Sequence, residues 1–119
     1  KNAAIGKPFE IPYRGREHYH FVSDVGAGFG QAALEPLDEY ATINLRGTSL
    51  DEGEFIRLIE EAASDLGLDH EVDIGYADDA PVMPFVCDLD DELTLKQFPN
   101  MPLTPLKEGI TISLRQFSQ

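Results

Sequence analysis

Cysteine is nearly absent: Cys87 is the only one among 119 residues, so the chain can form neither an internal disulfide nor a metal site built on paired cysteines. Its setting, Val82-Met83-Pro84-Phe85-Val86-Cys87, is apolar, and burial as a small hydrophobe is expected. Long apolar runs are missing too. Nothing approaches the roughly 18 residues needed to span a bilayer, and Lys1-Asn2-Ala3-Ala4-Ile5-Gly6 lacks the apolar core of a signal peptide, so a soluble, cytoplasmic chain without membrane contact is expected. Positive charge is scarce: 9 Lys and Arg stand against 22 Asp and Glu, a formal net charge of −13. Such a chain repels phosphate backbones and anionic membranes at long range, which argues against nucleic acid as a partner. Much of the acid falls on expected helix faces and caps, where it serves solubility. The first residue is Lys1 and not Met, from which a piece of a longer protein is expected.

What is present is enough for a core. At 42% hydrophobic residues, the whole chain 1–119 reads as a single domain, without repeats or low-complexity segments. Pro8 to Tyr13 alternates like a short strand that its two prolines restrict to an edge, and Tyr19-His20-Phe21-Val22 reads as a second strand. Ser23 or Asp24 is placed to cap a helix with Val25, Phe29, Ala32 and Ala33 on its apolar side, closed by Pro36. Ala41 to Arg46 is β-branched and alternating, ends at Gly47, and is expected as a strand. Ser49 and Glu52 have capping-box spacing before the helical stripe Phe55, Ile56, Ile59, Ala62, Ala63 and Leu66, and Gly67 ends that helix. Glu71 to Tyr76 suggests a further strand, Asp88 a cap for a short helix through Leu93 to about Phe98, and Thr104-Pro105 the start of a last helix with Leu106, Ile110, Leu114 and Phe117 on one face. The expected order is β-β-α-β-α-β-α-α, an α/β or α+β-like arrangement.

Several constellations invite a chemical reading. Gly26-Ala27-Gly28-Phe29-Gly30 resembles a dinucleotide-binding turn, but its third glycine is misplaced, the preceding strand is polar, and the strand that should end on an acid ends on Arg46. A helix with small residues for close packing accounts for it better. His18 and His20, two apart on a strand, could form a metal pair, yet no third ligand follows in sequence. Asp88 to Glu92 begins like a calcium loop but has Leu93 where glycine is required and Pro99 where glutamate is required. No G-x-S-x-G elbow and no Tyr-x-x-x-Lys pair occurs. Arg14-Gly15-Arg16 is the one local concentration of positive charge, either a forked anion site beside His18 or a solvent-facing turn.

The motifs in order resemble the second half of the NAD-dependent epimerase/dehydratase family, the extended short-chain dehydrogenases/reductases. Gly6-Lys7-Pro8-Phe9-Glu10-Ile11-Pro12 is similar to its "G-K-P-F-x-I-P" strand, and Tyr19 to Val25 to its "Y-x-x-V-x-D-V" helix entry. Thr42 to Gly47, followed by Ser49 to Phe55, resembles "hydrophobic-N-L-x-G" before an "S-x-x-E-F" helix, and Thr104 to Ile110 matches "T-P-L-x-E-G-I". The resemblance implies a carboxyl-terminal substrate-binding lobe without its Rossmann domain, with the Thr42-to-Arg46 strand belonging to the parent's parallel sheet. It implies NAD or NADP in the parent and none bound by this part, which lacks the family's catalytic residues and should be inactive alone. It further implies a sugar or sugar-acid substrate, with Arg14, Arg16, His18 and His20 as substrate-binding residues by position. Glu17-His18 stands where nucleotide-sugar epimerases carry an Arg-Asp pair, which shifts the expectation from a UDP-sugar to a simpler sugar acid or polyol. A lobe parted from its larger domain exposes an apolar face, so a homodimer is among the expected partners. The alternative is a stand-alone acidic α+β binding domain.

Overall fold

The computed structural model describes residues 1–36, 40–84 and 89–119. The expected burial of Cys87 and the expected cap at Asp88 fall outside the described residues. After a 3-10 helix at Asn2–Ile5 come β1 (Phe9–Ile11), β2 (Arg16–Tyr19), α1 (Val22–Leu34), β3 (Thr48–Asp51), α2 (Glu52–Asp65), β4 (Ile74–Tyr76), α3 (Glu92–Gln97) and α4 (Leu106–Phe117). The fold is mixed α/β, with small sheets and four helices among the described residues, in the element order the sequence suggested. None of these helices is long and apolar enough to cross a membrane.

The core forms where α2 crosses α4 and the 3-10 helix. Ala62 and Ala63 on α2 meet Ala3 and Ala4, and Ile110 and Leu114 on α4 close the other side, with Phe55, Ile59 and Leu66 packed around them. Alanine on two of the three elements lets their backbones approach closely, while the aliphatic and aromatic rim removes the bulk of the apolar area from water. The left-handed Gly67 (φ 65°) completes a Schellman ending of α2, with Gly67 N–H donating to Ser64 O at 3.0 Å and Leu68 N–H to Ala63 O at 3.2 Å.

The strands form two separate pairs. β1 lies parallel to β4 with Phe9 opposite Ile74 and Ile11 opposite Tyr76, and β2 lies antiparallel to β3 with Arg16 opposite Asp51 and Tyr19 opposite Thr48. Pro8 and Pro12 flank β1 without penalty because a two-stranded sheet has only edges.

Several expected boundaries are corrected. Ala41 to Gly47 is not a strand; the strand begins at Thr48, where that segment was expected to have ended. The reason lies in its neighbour. β2 ends at Tyr19, and the His20 ring bonds the Arg46 carbonyl at 2.9 Å, so no ladder remains for residues 41–46 to join. They are held instead by α3 and its approach: Thr94 donates to Asn44 O, Asn44 Nδ2 donates to Asp90 O at 3.0 Å, and Arg46 pairs with Asp91 at 2.9 Å. The capping box is Asp51 with Glu54, two residues later than Ser49 with Glu52, because Ser49 is already inside β3. Both pairs have the required spacing, and only the second lies at the helix start. The second strand, expected at Tyr19 to Val22, lies at Arg16 to Tyr19, and α1 starts at Val22 without a side-chain cap, Phe21 occupying the N-cap position. Neither Ser23 nor Asp24, the two residues expected to offer the cap, does so, and Asp24 bonds Thr104 instead, as described below. Pro105 is the N-cap of α4 and not its first helical residue.

Candidate functional site

The residues singled out from sequence lie along β2 and the turn before it. Positions alternate across a strand, so Arg16 and His18 share one face, and His20 continues on that side. Ser49 on β3 joins the first two: its carbonyl accepts from the Arg16 guanidinium at 2.9 Å and its hydroxyl shares a 2.7 Å hydrogen bond with His18 Nδ1. The His18 and His20 rings meet edge to face at 4.8 Å between centroids, and His20 Nδ1 bonds the Arg46 carbonyl. Gly47 makes room for this stack, since a Cβ there would lie 2.5 Å from Tyr19 O and 2.7 Å from His18 Nε2.

Arg14 is engaged elsewhere. Its guanidinium lies over the Tyr76 ring at 4.1 Å, and its backbone bridges to residues 81–83, with Arg14 N–H donating to Pro81 O at 2.8 Å and Met83 N–H to Arg14 O at 2.7 Å. The expected forked arginine pair is therefore split: Arg16 joins the histidines and Arg14 joins β4.

Sequence reading missed Glu52 and Arg57. Glu52 is 4% exposed; its Oε2 accepts from the Gly15 N–H at 2.7 Å, and its Oε1 is buried without a hydrogen-bond partner among the described residues. It thus anchors the turn between the two arginines from beneath. Burial, reinforced by the Glu52 charge, holds the Tyr19 hydroxyl protonated well above the ordinary tyrosine range. Tyr76 shifts the same way for the same two reasons, opposed by Arg14. Tyr19 also stacks flat on Phe55 of α2, 4.1 Å between centroids, which fixes the β2 face turned toward the core. Capping-box spacing hid Glu52, because it offered an exposed helix-end role for a side chain that is turned inward.

Arg57 lies on α2 one turn past Glu54. With Arg16, Thr48, Ser49, Glu54 and Glu61, and with Leu50, Leu58 and Leu106 contributing apolar wall, it lines an open depression of about 400 Å³ between β3 and α2. Two guanidinium groups, two hydroxyls and two carboxylates suit a polyhydroxylated anion, the cations for a carboxylate and the acids for hydroxyl donors. A second hollow, about 260 Å³, is largely apolar and lies between β2 and α4, lined by Tyr19, His20, Phe21, Phe55 and Ile110 among others.

The Gly26 to Gly30 run lies inside α1, beyond its first turn, so its N–H groups point along the helix ladder and do not converge on a strand-to-helix loop. A dinucleotide pyrophosphate does not fit there. No group of three His, Cys, Asp or Glu side chains that could hold a metal is present among the described residues.

The motif residues themselves interlock. Asp24 of the "Y-x-x-V-x-D-V" segment accepts from Thr104 N–H at 2.6 Å and from Thr104 Oγ1 at 2.8 Å, at the start of the "T-P-L-x-E-G-I" segment. In the same two segments, Phe21 covers Gly109, where a Cβ would come within 2.9 Å of the ring. No protein-family model matches the chain, and no curated protein and no solved structure matches it either.

Proposed function

We propose that this chain is the substrate-recognition lobe of an NAD(P)-dependent sugar epimerase, dehydratase or dehydrogenase, a carboxyl-terminal part that holds the sugar while a separate nucleotide-binding half carries the cofactor and the chemistry. The observation that supports this most is the Asp24–Thr104 pair, which ties together two segments 80 residues apart that each resemble the family's motifs. Gly109 beneath Phe21 and Gly47 beneath His18 add to it, since motif glycines are required where backbones and rings approach most closely.

Within this reading the sugar or sugar acid lies against the β2–β3 ladder. Arg16 and Arg57 take the carboxylate, and Ser49 and Thr48 with Glu54 meet the hydroxyls. His18 is a positioning residue, held by Ser49 beside Arg16. NAD or NADP supplies hydride acceptance in the parent protein, and no residue of this lobe is assigned to it.

A second reading, a self-contained α+β binding domain, draws on the core, which α2, α4 and the 3-10 helix close by themselves. Titration of the 119-residue chain with a hexuronate and with NAD⁺ and NADP⁺, followed by amide chemical shifts, separates the readings. The recognition lobe gives hexuronate shifts centred on residues 48–61 that Arg57→Ala abolishes, and none with either nucleotide. Saturable nucleotide binding, or hexuronate shifts indifferent to Arg57→Ala, contradicts the assignment.

A further inference from the structure

Two hollows adjoin on this lobe. The depression assigned to the sugar, about 400 Å³, and the apolar hollow, about 260 Å³, share the half-buried Leu106 at the start of α4 as a common wall. Their linings also meet on the strands. Thr48 belongs to the first and Tyr19 to the second, and the two stand directly opposite each other across the β2–β3 ladder, with side chains on one face of the sheet. On α2, Leu58 of the first is three residues from Phe55 of the second, the spacing of neighbours on a helix surface.

The change of character across that boundary selects the ligand. The depression has arginines and hydroxyls for a sugar acid, yet Leu50, Leu58 and Leu106 give it an apolar wall that a carboxylate and hydroxyls leave unused. Beyond Leu106 the lining is Tyr19, Phe21, Phe55, Ile110 and Phe117 among others, with no Asp or Glu, in a chain that carries 22 of them in 119 residues. Four aromatic side chains around so small a hollow fit a flat ring, offset or edge to face. Alone the apolar hollow falls short of the roughly 300–1,000 Å³ of a small-molecule site, and joined to the depression it lies within that range. Its walls come from β2, α2, α4 and the 3-10 helix of this chain, so a second half of the protein is not needed to form it. We infer that the ligand of this lobe is amphipathic, a hexuronic acid in glycosidic linkage to an aromatic group, with the sugar in the open depression and the aromatic aglycone laid over Leu106 into the apolar hollow.

The inference rests on the reading of the depression as a sugar site and names the class of sugar it takes. The test is titration of the 119-residue chain with a free hexuronate, its methyl glycoside and its phenyl glycoside, both anomers of each glycoside, followed by amide chemical shifts. One phenyl anomer binds about 10 to 100 times more tightly than its methyl counterpart, through burial of the ring. Its shifts extend beyond residues 48–61 to 19–21 and 106–117, which the methyl glycoside does not move. Ser113→Phe, which puts a ring into the hollow from α4, brings the ratio of the two affinities close to one, with circular dichroism of the variant beside it. Phe117→Ala, at the half-exposed end of α4, is a second variant and lowers the ratio severalfold. If the free hexuronate and all the glycosides leave residues 48–61 unmoved, the sugar reading fails and this inference with it. If the methyl glycoside binds but no phenyl anomer binds more tightly, or the phenyl shifts stay within 48–61, the inference alone is overturned. A phenyl preference that survives both variants, or phenyl binding that Arg57→Ala does not weaken, overturns it as well.

Discussion

Asp24 and Thr104 are joined twice, the carboxylate accepting from both the backbone N–H and the hydroxyl of the threonine, and Asp24 is only 4% exposed. This contact fastens α1 to the entry of α4 across most of the chain. Asp24→Ala leaves a buried N–H without an acceptor, and urea unfolding should show a loss of about 2–4 kcal/mol. Asp24→Asn keeps one acceptor oxygen and should lose about half as much. An alanine variant within 0.5 kcal/mol of the parent, a loss on the order of a surface substitution, speaks against the contact.

Glycine to alanine is expected to change sign between two helices. At Gly30 on α1 nothing lies within 4 Å of the added Cβ, so Gly30→Ala stabilises by about 0.5–1 kcal/mol through helix propensity. At Gly109 on α4 the Cβ meets the Phe21 ring at 2.9 Å, and Gly109→Ala destabilises by about 1–3 kcal/mol despite the same propensity gain. Thermal unfolding of the two variants at low protein concentration checks the pair.

The position of the capping box is testable in the same way. Asp51→Ala removes the acceptor of the Glu54 N–H and should cost about 1 kcal/mol with loss of α2 helicity. Ser49→Ala leaves α2 helicity unchanged, because Ser49 bonds His18 inside the β2–β3 ladder. The opposite order of effects on the far-ultraviolet spectrum would place the helix start at the earlier box.

These substitutions also mark what the sequence could disclose. The element order, the α2 stripe with its Gly67 ending, and the α4 face were legible because they depend on local spacing and on one left-handed glycine. The start of α2 was not, because Ser49-x-x-Glu52 and Asp51-x-x-Glu54 carry the same local signal, and the tie is broken by strand pairing with residues 31 to 35 positions earlier. The Ala41 to Arg46 strand failed for the same reason: its alternation is genuine, but its neighbour ends at Tyr19. Among the candidate site residues, His18 and His20 were placed on one side by strand spacing, whereas Arg16 was read as part of a basic turn and the β2–β3 ladder sets it beside His18. Arg14 left the group through a ring contact with Tyr76 that no spacing foretells, and Arg57 entered through tertiary proximity alone.

Alkaline stability follows from the tyrosines. Tyr19 and Tyr76 have folded-state pKa values raised above the unfolded value of about 10, by burial first and the Glu52 charge second. Below that pH both states keep the proton and the full stability is present. Above it the unfolded chain ionises while the folded chain does not, so stability falls as pH rises past 10 toward the folded values. Absorbance titration should show part of the tyrosine signal delayed until unfolding, and Glu52→Gln should bring it to lower pH. Ionisation of all four tyrosines together near the ordinary value in the folded chain would count against the buried setting of Tyr19.

The proposed function divides a lobe that recognises a sugar from a half that transfers hydride. The most direct measurement is conversion of sugar, followed by proton magnetic resonance of the substrate and product, on the protein made from its natural gene and on the 119-residue chain alone, each with NAD⁺ or NADP⁺ and a panel of sugars and hexuronates; an epimerase or dehydratase returns the hydride within the turnover, and only a dehydrogenase leaves reduced nicotinamide behind. The predicted result is nucleotide-dependent conversion of a sugar by the gene's product, lost in the isolated chain, with Arg57→Ala raising KM about tenfold or more and leaving kcat within about a factor of two. Turnover by the isolated chain, or a gene product that binds neither nucleotide, would contradict it.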